Sequence, residues 1–354
     1  GPPAPPAADP AWWAELGDPV LTDLVARALV ANRDLVAASA RVDQALALLG
    51  RIEAEGLPSV NASAGFNQVR ASSDLAAQPP AGTPRNRPEA SAGLSLSYEI
   101  DLWGRARRAR ESAEASLDAG IESLRSAEIS VSALTVSTYV SLRAAEVARA
   151  ALDDAALAGE DSLRVARERE AVGAAPAGES ARAELARADA LRRLAEARRT
   201  ESQLRHLLGT LVGDPDLRLT SAGFPRMPAT PASGLPSDLL ERRPDIRAAE
   251  ARLHAASAEI GVAQASRFPR LALTAGIGSA SQELSRLFDS PAATHRVGVA
   301  VDYNLLDWGA AARATEAARA AARAAAAEYE RTVLEALREA RDALVDLQEA
   351  ETLS

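Results

Sequence analysis

Twice in this sequence an alternating strand pattern runs straight into a very long helical one. In the first case Leu94, Leu96, Tyr98, Ile100 and Leu102 alternate with Ser95, Ser97, Glu99 and Asp101, the period of two expected of a strand with one apolar face. Trp103-Gly104 follow, and from Gly104 the period becomes helical and rich in Ala and Arg. In the second case Val297, Val299, Val301, Tyr303 and Leu305 alternate with Gly298, Ala300, Asp302 and Asn304, and Asp307-Trp308-Gly309 close the run. Tyr98 and Tyr303, Trp103 and Trp308, Gly104 and Gly309 are each 205 residues apart.

The repeat reaches further back. Asp34, Arg41, Val42, Ala45, Leu49 and Pro58 recur as Asp245, Arg252, Leu253, Ala256, Ile260 and Pro269, all displaced by 211, and Gly65 recurs as Gly276. The drop from 211 to 205 places a shorter hairpin loop in the second copy. Each copy reads as helix, strand, strand, long helix. Residues 1–213 form the first repeat, with strands at about 58–70 and 92–102 around a loop of about 71–89, and a helical hairpin over 104–211. A connector covers 214–234. Residues 235–354 form the second repeat, with strands at about 269–279 and 296–306 and a helix from 309. Near the start of the first repeat, Asp18 is placed to cap a helix whose first turn holds Pro19. Leu21, Leu24, Val25 and Leu29 share one face of that helix, and Val42, Leu46, Leu49 and Ile52 share a face of the next.

An unbroken helix from Gly104 to Val172 would be roughly 100 Å long at about 1.5 Å per residue, a length that suggests a coiled coil. Gly173 to Glu179 break it, and a return helix is expected from Ser180 to Leu211. Only 3% of residues are aromatic, and abundant Ala and Arg suit closely packed long helices. Ser354 corresponds to position 149 of the first repeat, ahead of any turn equivalent to Gly173, so the natural chain is expected to continue.

The net charge of −9 argues against a nucleic-acid surface, which is normally basic. There are no cysteines, hence no disulfide or thiolate metal site. No run reaches the roughly 18 apolar residues of a transmembrane helix. His206, His254 and His295 lack chelating spacing, and Gly276-Ile277-Gly278 sit in a strand pattern without a phosphate-loop Lys. No cofactor or metal is expected, and no convergent reactive set suggests an enzyme.

The strands lead to a membrane. They carry apolar residues on one face and Ser, Asn, Asp, Thr and Gly on the other, and they approach the roughly 9–11 residues needed to cross a bilayer. Strands cross lipid only as a closed barrel, and single-chain barrels begin at about eight strands. Four strands would therefore have to share a barrel with other chains. Tyr98, Trp103, Tyr303, Trp308, Phe66 and Phe268 fall at or near strand ends, where an aromatic girdle would lie; a sheet–helix join would also bury such residues. Glu99, Asp101, Asp302 and Asn304 are expected to share one strand face, and lumen acids there would favour cations.

This pattern, with the Trp-Gly junctions and the segment Leu235-Pro236-Ser237-Asp238-Leu239-Leu240-Glu241-Arg242-Arg243-Pro244-Asp245-Ile246, resembles the TolC-type outer-membrane efflux proteins. The nearest branch is the OprM/NodT-like lipoproteins that serve RND pumps. The resemblance implies a mainly α fold with a membrane β part. Long helices would form a tunnel through the periplasm, and four strands from each of three chains would form one barrel in outer-membrane lipid. It implies a homotrimer working with a periplasmic adaptor and an inner-membrane RND pump, and passive export of drugs or other small molecules. Val172-Gly173 and Glu179 fall where the resemblance places the family's periplasmic tip and adaptor-docking turn, which here also holds Ala174; Ala174, Ala175 and Pro176 depart somewhat from its usual residues. That branch carries a lipidated N-terminal Cys, which here would have to precede Gly1. The resemblance also places a second tip and a closing helix beyond Ser354, with half of the periplasmic aperture. Rival readings are the exit channel of type I protein secretion, disfavoured by the signature segment, and a periplasmic coiled coil without a pore, disfavoured by the paired amphipathic strands.

Overall fold

The computed structural model describes residues 11–70, 86–219, 223–226 and 242–353. Its elements are α1 (Pro19–Ala31), α2 (Arg33–Glu55), β1 (Ser59–Arg70), β2 (Asn86–Glu99), α3 (Arg105–Ala171), α4 (Glu179–Leu211), α5 (Pro244–Ala265), β3 (Arg270–Ser281), β4 (Ala293–Asp302) and α6 (Ala310–Leu353). Packing divides the chain into two compact units, residues 1–42 with 121–247 and residues 43–120 with 248–354. Units of packing and repeats of sequence thus partition the chain differently.

In the first unit a short helical turn at Trp12–Leu16, α1, and parts of α3 and α4 enclose the core. Leu21, Leu24, Val25 and Ala28 of α1 pack with Val131, Tyr139 and Leu142 of α3 and with Leu208 of α4. Asp18 caps α1 as its spacing predicts, accepting the amides of Val20 (2.8 Å) and Leu21 (3.2 Å) through one carboxylate oxygen. Its other oxygen accepts the hydroxyl of Tyr139 at 2.6 Å. One buried carboxylate therefore fixes the start of α1 and ties it to α3. The cap of α2 is Asn32, whose side-chain oxygen accepts the amides of Asp34 and Leu35, while its amide group donates to the Leu211 carbonyl at 3.3 Å. Asp34 lies just inside that helix.

The α3–α4 hairpin also belongs to this unit. Arg149–Glu201 (2.7 Å), Arg198–Asp153 (2.8 Å), Arg205–Glu146 (3.4 Å), Arg187–Glu160 (3.5 Å) and Arg167–Glu184 (3.6 Å) step along it. The solvent-facing pairs among these contribute about 0–1 kcal/mol each, so they align the helices more than they hold them; Glu201 is buried and is held by both Arg149 and Arg205. Burial of Leu163, Ala166, Leu194 and Leu208 does the holding. At Gly159 an added Cβ would stand 3.4 Å from the Arg187 Cα, so the two backbones nearly touch there.

The second unit contains the antiparallel sheet, in the order β1-β2-β3-β4. Several boundaries differ from the sequence reading, among them the start of β4, at Ala293 where about 296 was expected. β2 begins at Asn86, inside the expected loop, whose residues 71–85 lie outside the described segments. β2 ends at Glu99, not 102, and β4 ends at Asp302, not 306. β4 stops opposite Arg270, the first residue of β3, whereas β2 leaves the ladder at Glu99↔Ala272 although the Ile100 amide still donates to the Leu271 carbonyl at 2.8 Å. Alternation continues past those points because side-chain period is a local property and pairing is not. The stripe on α2 is also weaker than expected, since Leu46 is exposed while Val42, Leu49 and Ile52 are half-buried.

Tyr139→Phe should leave a buried Asp18 oxygen without its donor, at a cost of about 1–3 kcal/mol. Chemical denaturation followed by far-UV circular dichroism should show a lower midpoint for this variant, whereas Tyr329→Phe on α6 should change nothing.

Candidate functional site

The sheet sorts its side chains into two faces with no break in register. Val60, Ala62, Ala64 and Phe66 stand opposite Leu96, Leu94, Ala92 and Ala90. Leu94, Leu96 and Tyr98 in turn oppose Ile277, Ala275 and Leu273, and Leu271, Leu273 and Ala275 oppose Val301, Val299 and Val297. Paired residues project to the same side, so four strands build one apolar surface. Most of its large members are exposed, Val297 at 84%. The opposite face carries Asn61, Ser63, Asn67, Ser91, Ser95, Ser97, Thr274 and Thr294, with glycines between them. A contiguous exposed apolar surface of this kind marks contact with lipid or protein.

Two of those glycines are required. Gly93 and Gly278 face each other across β2 and β3. An added Cβ on Gly278 would stand 2.5 Å from the Ala92 carbonyl oxygen, and one on Gly93 2.9 Å from the Ile277 oxygen.

The strand-to-helix junctions are built from polar contacts. At the first, Asp101 accepts the amides of Ala106 (3.1 Å) and Arg107 (2.9 Å), which satisfies the open end of α3. Glu99 is gripped by both ends of the Arg105 guanidinium, each at 3.0 Å, and this hydrogen bonding raises the Arg105 pKa above its usual value. The Trp103 ring stacks on Phe268 with centroids 4.6 Å apart, and its indole N–H donates to the Pro269 carbonyl at 2.7 Å. At the second junction Asp307 accepts the amides of Gly309 (2.9 Å) and Ala311 (3.0 Å), which hold its carboxyl below the normal range. Gly104 and Gly309 make the turns with φ of 77° and 83°. Trp308 also has a positive φ, 53°, and is 88% exposed.

The expected set of acids on one strand face is corrected by this geometry. Asp101 and Asn304 lie beyond the ends of β2 and β4, and Asp101 serves as a helix cap. Glu99 is on the polar face but is held by Arg105. Asp302 ends β4 on the polar face, exposed and opposite Arg270. Among the aromatics, Tyr98 ends the apolar face of β2 and Tyr303 follows β4. Phe66 sits within β1, opposite Ala90, away from the strand end where it was expected. His206, His254 and His295 stand on α4, α5 and β4, apart in the sequence of elements, and Gly276-Ile277-Gly278 are strand residues of β3.

The α3–α4 turn contains Val172, Gly173, Ala174 and Glu179. Gly173 (φ 71°) and Gly178 (φ 99°) provide its two reversals, and Val172 projects into solvent. Sequence reasoning missed the residue that organises it. Glu170 accepts the amides of Gly178 (2.9 Å) and Ser180 (3.0 Å) and the Ser180 hydroxyl (2.5 Å). These bonds, the Ser180 hydroxyl foremost, hold its carboxyl below the usual range. The readable signal was an acid at the end of one helix facing the Gly-Glu-Ser start of the next.

Of the signature segment, residues 235–241 lie outside the described residues, and Arg242 to Ile246 open α5. There Asp245 is held by Arg243 at 2.6 Å and accepts the Ile246 amide at 2.9 Å. No helix among the described residues is long and apolar enough to cross a membrane, which has no bearing on strands.

A family model described as outer membrane efflux protein matches residues 24–213 and 235–353. The pyoverdine export outer membrane protein OpmQ of Pseudomonas aeruginosa is 37% identical over 290 residues, covering 79% of this chain and 60% of that protein. The outer membrane protein OprJ of the same organism is 33% identical over 342 residues, covering 94% of this chain and 70% of its own length. The solved structure of the outer-membrane channel OprN superimposes with a TM-score of 0.86 at 31% identity, over 98% of this chain and 78% of that one. The chain thus spans about three-fifths of OpmQ and somewhat more of OprJ and OprN.

Glu170 gives the turn a pH dependence whose sign is fixed. Because its folded pKa is depressed, its contribution is complete above about pH 4.3, the usual Glu value, and is lost as pH falls through the lower folded value. Hydrogen exchange at Gly178 and Ser180 should accelerate in Glu170→Gln at neutral pH, and the variant should show no further acid-dependent step there.

Proposed function

This chain belongs to the outer membrane efflux protein family, and on that premise we propose that it forms the exit duct of a tripartite RND-type pump in a Gram-negative outer membrane. The observation that carries the proposal is the four-stranded sheet, apolar on one face and polar on the other, with a chain-edge strand on each side. In lipid such edges must be paired, and homotrimeric assembly supplies the partners. The apolar face then meets hydrocarbon and the polar face lines water.

The duct is passive: it performs no chemistry on its cargo. The α3–α4 turn, with exposed Val172 and Ala174 beside the Glu170-braced Gly173 and Gly178, is the surface offered to a periplasmic adaptor. That adaptor joins the duct to an inner-membrane pump. Relatives named for export of pyoverdine, toluene and antibiotics support small organic molecules as the cargo class, in preference to secreted proteins. An N-terminal lipid anchor, as in the resembling branch, would add a second membrane contact.

Detergent-purified protein should have the mass of a trimer and conduct in planar bilayers. A monomer that does not conduct would remove the duct reading in favour of a periplasmic coiled coil. With conductance in hand, Asp302→Asn should reduce cation preference, since Asp302 is an exposed strand acid on the polar face, as is Glu89. Asp101→Asn should leave ion preference unchanged and lower thermal stability, because that carboxylate caps α3. Ion selectivity from reversal potentials separates the two.

A further inference from the structure

Cations on the polar face of the sheet have an acid close by, with one exception among the described residues. By register that face holds Arg87, Glu89 and Glu99 of β2, Arg270 of β3, and Arg296 and Asp302 of β4. Arg270 stands directly opposite Asp302. Arg87 is two residues from Glu89, about 7 Å along the strand. Arg296 is the exception. Its neighbours on that face are Gly276 opposite, Gly278 and Thr274 on the diagonals, and Thr294 and Gly298 two residues away along β4. The glycines offer no side chain, and the Thr274 hydroxyl already donates to the Gly298 carbonyl at 3.3 Å.

No strand carboxylate comes near Arg296. Asp302 is six residues further along β4, about 20 Å at the usual rise. Glu89 is six residues along β2 from Ser95, which shares a row with Gly276 and Arg296, so it is at least about as far. Glu99 is already bound to Arg105. With a screening length of about 8 Å, acids 20 Å away have little influence. β1, the other edge strand, has no acid between Ser59 and Arg70, so pairing of the edges in an assembly brings none either. Among the described residues the exposed Arg296 side chain has no hydrogen-bond or ion-pair partner. The open space beside it is not demanded by packing. At Gly276 an added Cβ would meet nothing nearer than the Leu94 carbonyl oxygen at 3.6 Å, and at Gly298 nothing nearer than the Thr274 hydroxyl at 3.6 Å. Neither glycine has a positive φ.

We propose that Arg296 is a specificity-determining residue of the duct: a free guanidinium on a glycine floor that engages carboxylate groups of cargo and favours small organic anions. This rests on the exit-duct reading above, in which the polar face lines the lumen. In a homotrimer three copies of Arg296 then stand at one height around that lumen. A guanidinium presents paired N–H donors that match the two oxygens of a carboxylate, and Gly276 and Gly298 leave room for the acid to approach. Exposure keeps each contact weak, which suits a passage that must release what it attracts.

Reversal potentials in a potassium chloride gradient, with citrate as the organic-anion probe, test this in planar bilayers. Arg296→Gln should move the reversal potential toward that of potassium, the sense opposite to Asp302→Asn. Block of the current by citrate should weaken roughly two- to fivefold, the size an exposed charge pair gives. Arg296→Lys should keep the reversal potential but lose part of the citrate block, since the charge stays and the fork goes; undiminished block would overturn forked recognition. Gly276→Asp, which sets a carboxylate opposite the arginine, should reproduce the Arg296→Gln shift with Arg296 still present. An unchanged reversal potential or unchanged citrate block in Arg296→Gln, in a protein that still conducts as a trimer, overturns this inference and leaves the duct reading standing. A monomeric, silent wild-type protein overturns both.

Discussion

A backbone amide in hydrocarbon has no water to bond with, and this one fact governs the sheet. β1 and β4 each pair on one side only, and the apolar face that joins them is among the most exposed apolar surface of the chain. Water would penalise the face, and lipid would penalise the edges. The arrangement becomes favourable on both counts only when the edges are paired within an assembly. In the proposed duct, a constraint on one chain is thereby converted into a requirement for several.

The strand-to-helix junctions show how the chain moves from one regime to the other. Asp101 and Asp307 do the same work, accepting the first amides of α3 and α6, yet they occupy positions that the 205-residue repeat does not equate. Capping needs a carboxylate within reach of open amides, and more than one backbone path provides it. The aromatic partner is less interchangeable. Trp103 needs both a ring to stack on and a carbonyl to donate to, and Phe268-Pro269 offer the two together.

Away from the sheet the physics is that of packed helices. Arg–acid pairs line the α3–α4 hairpin, but exposure limits most of them to a small contribution, the buried Glu201 apart, and apolar burial carries the stability. The turn at its end differs. It has little apolar burial of its own, so three hydrogen bonds to Glu170 give it definition. A rigid turn on two long helices can present Val172 and Ala174 in a fixed pose.

Much of this was legible in the sequence because much of it is local. Alternation at Leu94–Leu102 and Val297–Leu305 announced strands, unbroken Ala- and Arg-rich helical periodicity announced α3 and α6, and Asp18-Pro19 announced the start of α1. The two offsets fixed the repeat, and the structure then used the same offsets for register. Tertiary structure decided what depends on partners distant in sequence. β4 ends at Asp302 because its partner there, Arg270, is the first residue of β3, although alternation runs on to Leu305. Asp101 became a cap and Glu99 an arginine partner because α3 starts beside them, whereas periodicity alone made them members of one strand face. Glu170 was invisible as a brace until the chain folded back upon it. Side-chain period is written in neighbouring residues, but hydrogen-bond pairing is settled only by what the fold brings within about 3 Å.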